Sequence, residues 1–187
     1  MRLYADDGQR LYVNATERDR IVEVAAALEC PKRLFCMMLL NTGCRLSEAT
    51  ALRVRDIQVD EGVVSILSLK KRGRRLVREV PISPKFATEI ADYIGTISSP
   101  NHRLWCISRS TGWRWVKAVM NDAGIAGLRA SPKGLRHGFG VHCVMRGIPV
   151  FLIQKWLGHE KLETTQIYAS VMGAEERVLA RRLWDKM

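Results

Sequence analysis

Arg45, Lys70, Lys133, Arg136, His159 and Tyr168 are the side chains in this 187-residue sequence best suited to chemistry at a phosphate. Two arginines can grip a phosphate, because each guanidinium presents a planar fork of donors and stays charged. A phosphodiester under attack gathers negative charge on its non-bridging oxygens, and fixed cations there stabilise the transition state. A tyrosine hydroxyl can act as the nucleophile and leave a covalent intermediate. Its unperturbed pKa of about 10 means that it needs cationic neighbours or a base to ionise. A lysine can protonate the departing alkoxide, and a histidine can hydrogen-bond or donate a proton at phosphate. No carboxylate cluster suited to Mg²⁺ accompanies these groups, so no metal or other cofactor is expected and the cations come from the protein.

Taken singly, each residue also has an ordinary structural explanation. Arg45 can pair with Glu48 one helical turn on. Lys70-Lys71-Arg72-Gly73-Arg74-Arg75 reads as the solvated tip of a hairpin. Lys133 beside Pro132 can be a solvated cation, Gly158-His159 a helix C-cap, and Tyr168 a packed aromatic. His137 and His142 fall within a helical pattern and read as structural. Trp105, Trp113 and Trp115 read as core and interface packing rather than a base-stacking platform.

The elements that must position these groups follow from periodicity. Thr16 is the expected N-cap of a first helix, with Asp19 completing a weak capping box and Ile21, Val24, Ala25 and Leu28 as its apolar stripe. Pro31 starts a second helix over Lys32–Asn41, whose dense run Leu34–Leu40 predicts a central core helix. Thr42-Gly43 breaks it, and Arg45–Leu52 makes a short third helix. From Val54 to Pro84 the period changes. Val63, Val64, Ile66, Leu67 and Leu69, then Val77, Val80 and Ile82, predict a hairpin within a three-stranded sheet that starts near Asp56. Helices are again expected over Phe86–Ile94 and after Ser108 or Ser110 as far as Gly124. Leu135, Phe139 and Val141–Cys143 mark one buried helix face; Val150, Ile153, Gln154 and Leu157 mark another, ended by Gly158. Thr164 and Thr165 are N-cap candidates for a short helix carrying Tyr168. Lys133, Arg136, His159 and Tyr168 thus stand on separate small elements that packing is expected to bring to one surface. Residues 1–15 read as an arm and residues 16–187 as one domain, mainly α with a small antiparallel sheet. The terminal amphipathic helix 174–187 is a candidate for docking on a neighbouring protomer or for folding back on its own domain.

The net charge of +11 suggests a polyanionic partner, with nucleic acid the leading candidate. The five cysteines, Cys30, Cys36, Cys44, Cys106 and Cys143, are odd in number and contain no C-x-x-C pair. They read as buried thiols of a reducing compartment, which argues against a zinc site. No apolar run is long enough for a membrane span, so a cytoplasmic protein is expected.

The order and surroundings of these residues add a resemblance. Thr42-Gly43-Cys44-Arg45-Leu46-Ser47-Glu48-Ala49, Leu135-Arg136-His137-Gly138-Phe139, Leu157-Gly158-His159 and Thr164-Thr165-Gln166-Ile167-Tyr168 closely resemble the tyrosine recombinase (phage integrase) family. The likeness runs from Thr16 through Val171. It implies the catalytic domain of that family, a DNA breaking-rejoining fold. Arg45 and Arg136 then correspond to the two phosphate-clamping arginines. Lys70, with Lys71 as the alternate, is the hairpin lysine that protonates the leaving 5′ oxygen. His159 is the phosphate-binding histidine and Tyr168 the nucleophile that forms a 3′-phosphotyrosyl link. Glu48 orients Arg45, and Lys71, Arg72, Arg74 and Arg75 meet DNA. Two departures stand out. Lys133 occupies a position where most members have histidine, and it is a poorer base at neutral pH unless its pKa is depressed. The N-terminal core-binding domain of typical members is not expected in residues 1–15, which should weaken the grip on DNA.

What the resemblance implies is a metal-independent, site-specific recombinase with chemistry like that of a type IB topoisomerase. It would act on double-stranded DNA as a dimer or tetramer, with accessory DNA-binding proteins as further candidates. Its expected setting is the bacterial cytoplasm, on the nucleoid or a plasmid. Two alternatives differ from it: a DNA-binding regulator of the same fold with little turnover, and a relaxing topoisomerase that religates the same strand.

Overall fold

A computed structural model describes residues 2–69 and 75–182. Its helices are α1 (Ala15–Ala26), α2 (Cys30–Thr42), α3 (Leu46–Ala51), α4 (Pro84–Ile94), α5 (Arg109–Asp122), α6 (Pro132–Met145), α7 (Val150–Leu157), α8 (Glu163–Gln166) and α9 (Ala174–Arg181). Its strands are β1 (Ile57–Gln58), β2 (Val63–Leu69) and β3 (Arg75–Pro81), antiparallel in the order β1-β2-β3. This is the mostly helical architecture with a small three-stranded sheet that the periodicity predicts. The dense apolar run of α2 places it at the centre. Leu34, Phe35, Cys36, Met38, Leu39 and Leu40 are all buried, and α2 packs against α1, α3, α4, α5 and α6. A helix apolar on every side has no face to give to water.

Several local expectations are corrected. The N-cap of α1 is Asn14, not Thr16: Asn14 Oδ1 accepts from the Glu17 backbone and Glu17 returns a bond to the Asn14 N–H. The capping box therefore starts two residues earlier than expected, and its acid is Glu17 rather than Asp19. Residues 2–13 lie on the domain, with Leu3, Tyr12 and Val13 buried and the Tyr4 hydroxyl accepting from Met172 N at 2.9 Å. Val80 on β3 and Ile82 just beyond it are buried as the alternation expects, but Val77 faces water and Arg78 takes an inward position. Cys36, Cys44 and Cys143 are buried, whereas Cys106 is exposed. Of the tryptophans, Trp105 is buried but Trp113 is exposed, with the Lys117 ammonium 5.9 Å from its ring centroid. Helix α9 lies against α6 of the same chain. Leu183, Trp184 and Lys186, expected in that helix, lie outside the described residues.

Candidate active site

Gly43 ends α2 with φ of 59°. A Cβ there would sit 2.6 Å from the Phe139 ring and 2.9 Å from Leu157, so glycine is required both for the backbone and for the close approach of α6 and α7. The turn delivers Arg45 to the N-terminus of α3, where Glu48 stands at the third helical position. The Glu48 carboxylate accepts from the Arg45 backbone N–H at 2.8 Å and from Arg45 Nη1 at 2.9 Å. Glu48 is buried, while the Arg45 side chain is 46% exposed. Burial alone would raise the Glu48 carboxyl, but hydrogen bonds and charge from Arg78, then from Arg45, outweigh it and hold it down at about 2. Arg45 and Glu48 line an open cleft of about 700 Å³ that Arg53, Arg55, His159 and Lys161 also border.

Arg136, buried on α6, reaches the ends of two other helices. It donates to the Gly43 carbonyl at 2.8 Å and the Leu157 carbonyl at 2.7 Å. These are C-terminal groups of α2 and α7, which lack partners inside their own helices. A cation at two helix C-termini is also favoured by the helix dipoles. Burial, then the Arg45 charge, lowers the Arg136 guanidinium to about 10, so it stays charged at neutral pH. His159 follows Gly158, which ends α7. Its Nδ1 pairs with the Thr165 hydroxyl at 2.9 Å, and its buried Nε2 has no hydrogen-bond partner among the described residues. Burial, then Arg136 and Arg45, lowers this imidazole to about 3, which leaves it neutral. The expectation that Thr164 or Thr165 caps α8 fails. The helix starts at Glu163 after Leu162, without a side-chain cap, and Thr165 sits buried inside it holding His159.

Tyr168 lies on a 3₁₀ turn, Ile167–Ala169, and has no exposed surface. Its ring is wedged over Gly140 of α6, where a Cβ would meet ring carbons at 2.5 Å. It stacks on His159 with centroids 6.2 Å apart and planes 14° apart. Its hydroxyl lies 3.2 Å from His137 Nδ1. Burial raises the phenol to about 12, against the opposing pull of Arg136 and Arg45. The expectation of one shared surface is thus corrected. Arg45 and His159 border the cleft, but Arg136 is covered with the rest of α6, and Tyr168 is covered beneath Gly140 and His159.

His137, read as structural, turns out to touch the Tyr168 hydroxyl. Burial, then Lys133 and Arg136, lowers it to about 4, and its Nε2 also lacks a partner among the described residues. The signal was present in the spacing: residues 133, 136, 137 and 140 share one helical face. Two basic groups, an imidazole and a glycine in that pattern leave a slot for an aromatic ring. Arg78, bonded to Glu48, was missed because a strand arginine ordinarily faces solvent. Lys133 stands exposed on the first turn of α6. Lys70, Lys71, Arg72 and Arg74 lie outside the described residues, as does the side chain of Arg75. Among the described residues no group of three or more His, Cys, Asp or Glu side chains is placed to hold a metal ion.

Known proteins resemble this chain in sequence and in fold. A model of the phage integrase family matches residues 2–175. Tyrosine recombinase XerA of Pyrococcus furiosus is 34% identical over 164 residues, covering 83% of this chain and 55% of that protein. The chain spans about half the length of the curated relatives it matches. Among solved structures, a crystal structure of XerA recombinase superposes with a TM-score of 0.81 at 23% identity, over 93% of this chain and 65% of that one. The XerH recombinase bound to its difH substrate, a pre-cleavage complex, gives 0.73 at 20% identity, over 97% of this chain and 60% of that one. At these identities the two structures speak to the fold alone.

Proposed function

The chain belongs to the phage integrase family of tyrosine recombinases, and from that membership we propose that it carries the catalytic unit of a site-specific DNA recombinase. Tyr168 Oη attacks the phosphorus of a DNA phosphodiester. The new O–P bond forms as the bond to the 5′ oxygen breaks, leaving a 3′-phosphotyrosyl link. Lys70, or Lys71 in its place, gives a proton to the leaving oxygen. Arg45, Arg136 and His159 hold the non-bridging oxygens, and Lys133 adds positive charge from the first turn of α6. In the covered arrangement a phenol at about 12 beside an imidazole at about 4 makes proton loss before attack steeply uphill. Once the Ile167–Ala169 turn has brought the hydroxyl out to the cleft, its proton passes to solvent as the bond to phosphorus forms. A 5′ hydroxyl of a partner strand then reverses the step and completes strand exchange. Return of the original strand would instead be relaxation of the topoisomerase kind.

The observation that supports this reading most is the convergence of Arg45, Arg136 and His159 around the C-termini of α2 and α7, with the Tyr168 ring stacked on His159. Two arginines and one carboxylate leave net positive charge where a phosphorane gathers negative charge, and a fixed donor in such a site contributes on the order of 3 kcal/mol. Double-stranded DNA is the proposed substrate, held also by Lys71, Arg72, Arg74 and Arg75. A dimer or tetramer on paired sites, with accessory DNA-binding proteins, is the proposed assembly. No described helix is long and apolar enough to cross a membrane; the proposed setting is the cytoplasm, on a nucleoid or plasmid.

A second reading, a DNA-binding regulator with little turnover, draws on one observation: Tyr168 has no exposed surface. Under the first reading, the Ile167–Ala169 turn leaves Gly140 when DNA fills the cleft. One experiment separates the two. The duplex that the protein enriches from its own genome is nicked to make a suicide substrate. The recombinase traps a covalent protein–DNA adduct that Tyr168→Phe does not form. A regulator shifts the duplex and traps nothing.

A further inference from the structure

Arg78 points into the protein from a strand position where the sheet needs an apolar residue. Val64, Ile66 and Val80 fill the same inward face, yet Arg78 is only 4% exposed. A buried guanidinium is tolerated when its donors are met. Arg78 Nε donates to the Trp156 carbonyl at 2.7 Å. Its Nη2 and Nη1 donate to the two Glu48 oxygens at 2.6 and 3.2 Å, and Nη1 also reaches the Ser68 hydroxyl. One side chain therefore ties β3 to β2, to α3 and to the last turn of α7. The following Gly158 lies against it: a Cβ there would be 3.1 Å from the Arg78 guanidinium carbon. The turn that delivers His159 is thus seated on the plane of Arg78.

The charge balance gives this link a consequence. Arg45 and Glu48 alone make a neutral pair. With Arg78 added, the group carries one net positive charge, and both carboxylate oxygens are already committed to the buried partner. Glu48 then takes one Nη contact from Arg45, whose side chain stays half-exposed at the cleft. Deprived of Arg78, Glu48 would keep the Ser68 hydroxyl, the Arg45 N–H and Arg45 Nη1, but it would lose its buried counter-charge and would draw in the Arg45 fork.

We propose that Arg78 is a positioning residue for phosphate recognition: by satisfying Glu48 from below, it keeps the Arg45 guanidinium and its charge turned to the cleft, and by seating Gly158 it fixes the height of His159. The consequence for catalysis rests on the recombinase reading; the control of Arg45 does not.

Two readouts on the full chain test it. In single-turnover cleavage of the suicide duplex, Arg78→Met slows adduct formation by about 30-fold or more while DNA affinity changes within about threefold. Adding Glu48→Gln to that variant recovers about tenfold, because a neutral amide no longer captures Arg45. Modification of Arg45 by a dicarbonyl reagent, mapped by mass spectrometry, falls in Arg78→Met and returns in the double variant. Should Arg78→Met fail to fold, Arg78→Lys is carried through the same pair of comparisons, with smaller effects expected. A double variant slower than Arg78→Met, or Arg45 reactivity that ignores Arg78, overturns the proposal and leaves Arg78 a mere staple of the hairpin. If the unaltered protein forms no adduct, the recombinase reading fails, and Arg45 reactivity alone decides the role of Arg78.

Discussion

The two halves of the candidate site are held in opposite ways. On one side, Arg136 is fastened to two main-chain carbonyls, and Arg78 and Arg45 share the Glu48 carboxylate. These are charge-assisted bonds, about twice as strong as neutral ones, and nearly all are buried. On the other side, Tyr168 rides a single 3₁₀ turn after the four-residue α8. It is kept by ring packing and one neutral hydrogen bond to His137, with a net worth of about 1 kcal/mol. The proposed phosphate clamp is therefore assembled before any ligand arrives, whereas the proposed nucleophile is held by fewer and weaker bonds. Preorganised charge is what transition-state stabilisation needs, and a movable phenol is what controlled cleavage needs.

The strongest way to break this contrast is Tyr168→Phe. Adduct formation should fall below detection while stability, followed by chemical denaturation, changes by about 1 kcal/mol or less. A large loss of stability would mean that the nucleophile side is as firmly built as the clamp. Arg136→Ala should do the reverse. It strands two carbonyls and empties a buried volume, so stability should fall by about 3 kcal/mol. Cleavage by the folded fraction should drop about 100-fold or more, with a much smaller loss of DNA affinity.

Acid should take the halves apart in sequence. His137 and His159 have folded values of about 4 and about 3, below the unfolded imidazole, so their contribution is complete above about pH 6.5 and is lost as pH falls. Thermal melts between pH 7 and pH 4.5 should show a loss of roughly 2 kcal/mol per buried histidine. The Glu48 contribution, with a folded value of about 2, is lost only below about pH 4.5. A melt unchanged down to pH 4.5 would contradict the neutral, covered imidazoles. Gly140→Ala should act on the Tyr168 side alone. Its methyl group intrudes on the Tyr168 ring, costs about 1–3 kcal/mol, and should make Tyr168 open to nitration that the unaltered protein resists. Continued protection would show that the ring has no other place to go.

Much of the fold could be read along the chain, because helix and strand periods are local. The apolar run of α2, the hairpin, and the break at Gly43 are each written within a few residues of where they act. The errors came where the partner lies far off in sequence. Thr165 looked like a cap, since nothing nearby says that His159 will claim its hydroxyl. The N-cap of α1 is the exception, because Asn14 with Glu17 three residues on is a local pair. Nothing near Arg78 in the sequence marks it as buried, since its carboxylate comes from α3.

By itself the sequence determined the residue types, their order and the helical face shared by residues 133, 136, 137 and 140. Those are enough to name the family, because its motifs are short contiguous runs of side chains. Tertiary packing alone decided that Tyr168 is sheathed, that His137 holds its hydroxyl, and that Arg78 stands behind Glu48 and Arg45. Burial and hydrogen-bond satisfaction depend on what several distant segments place in the same few ångströms, and no single stretch of chain carries that information.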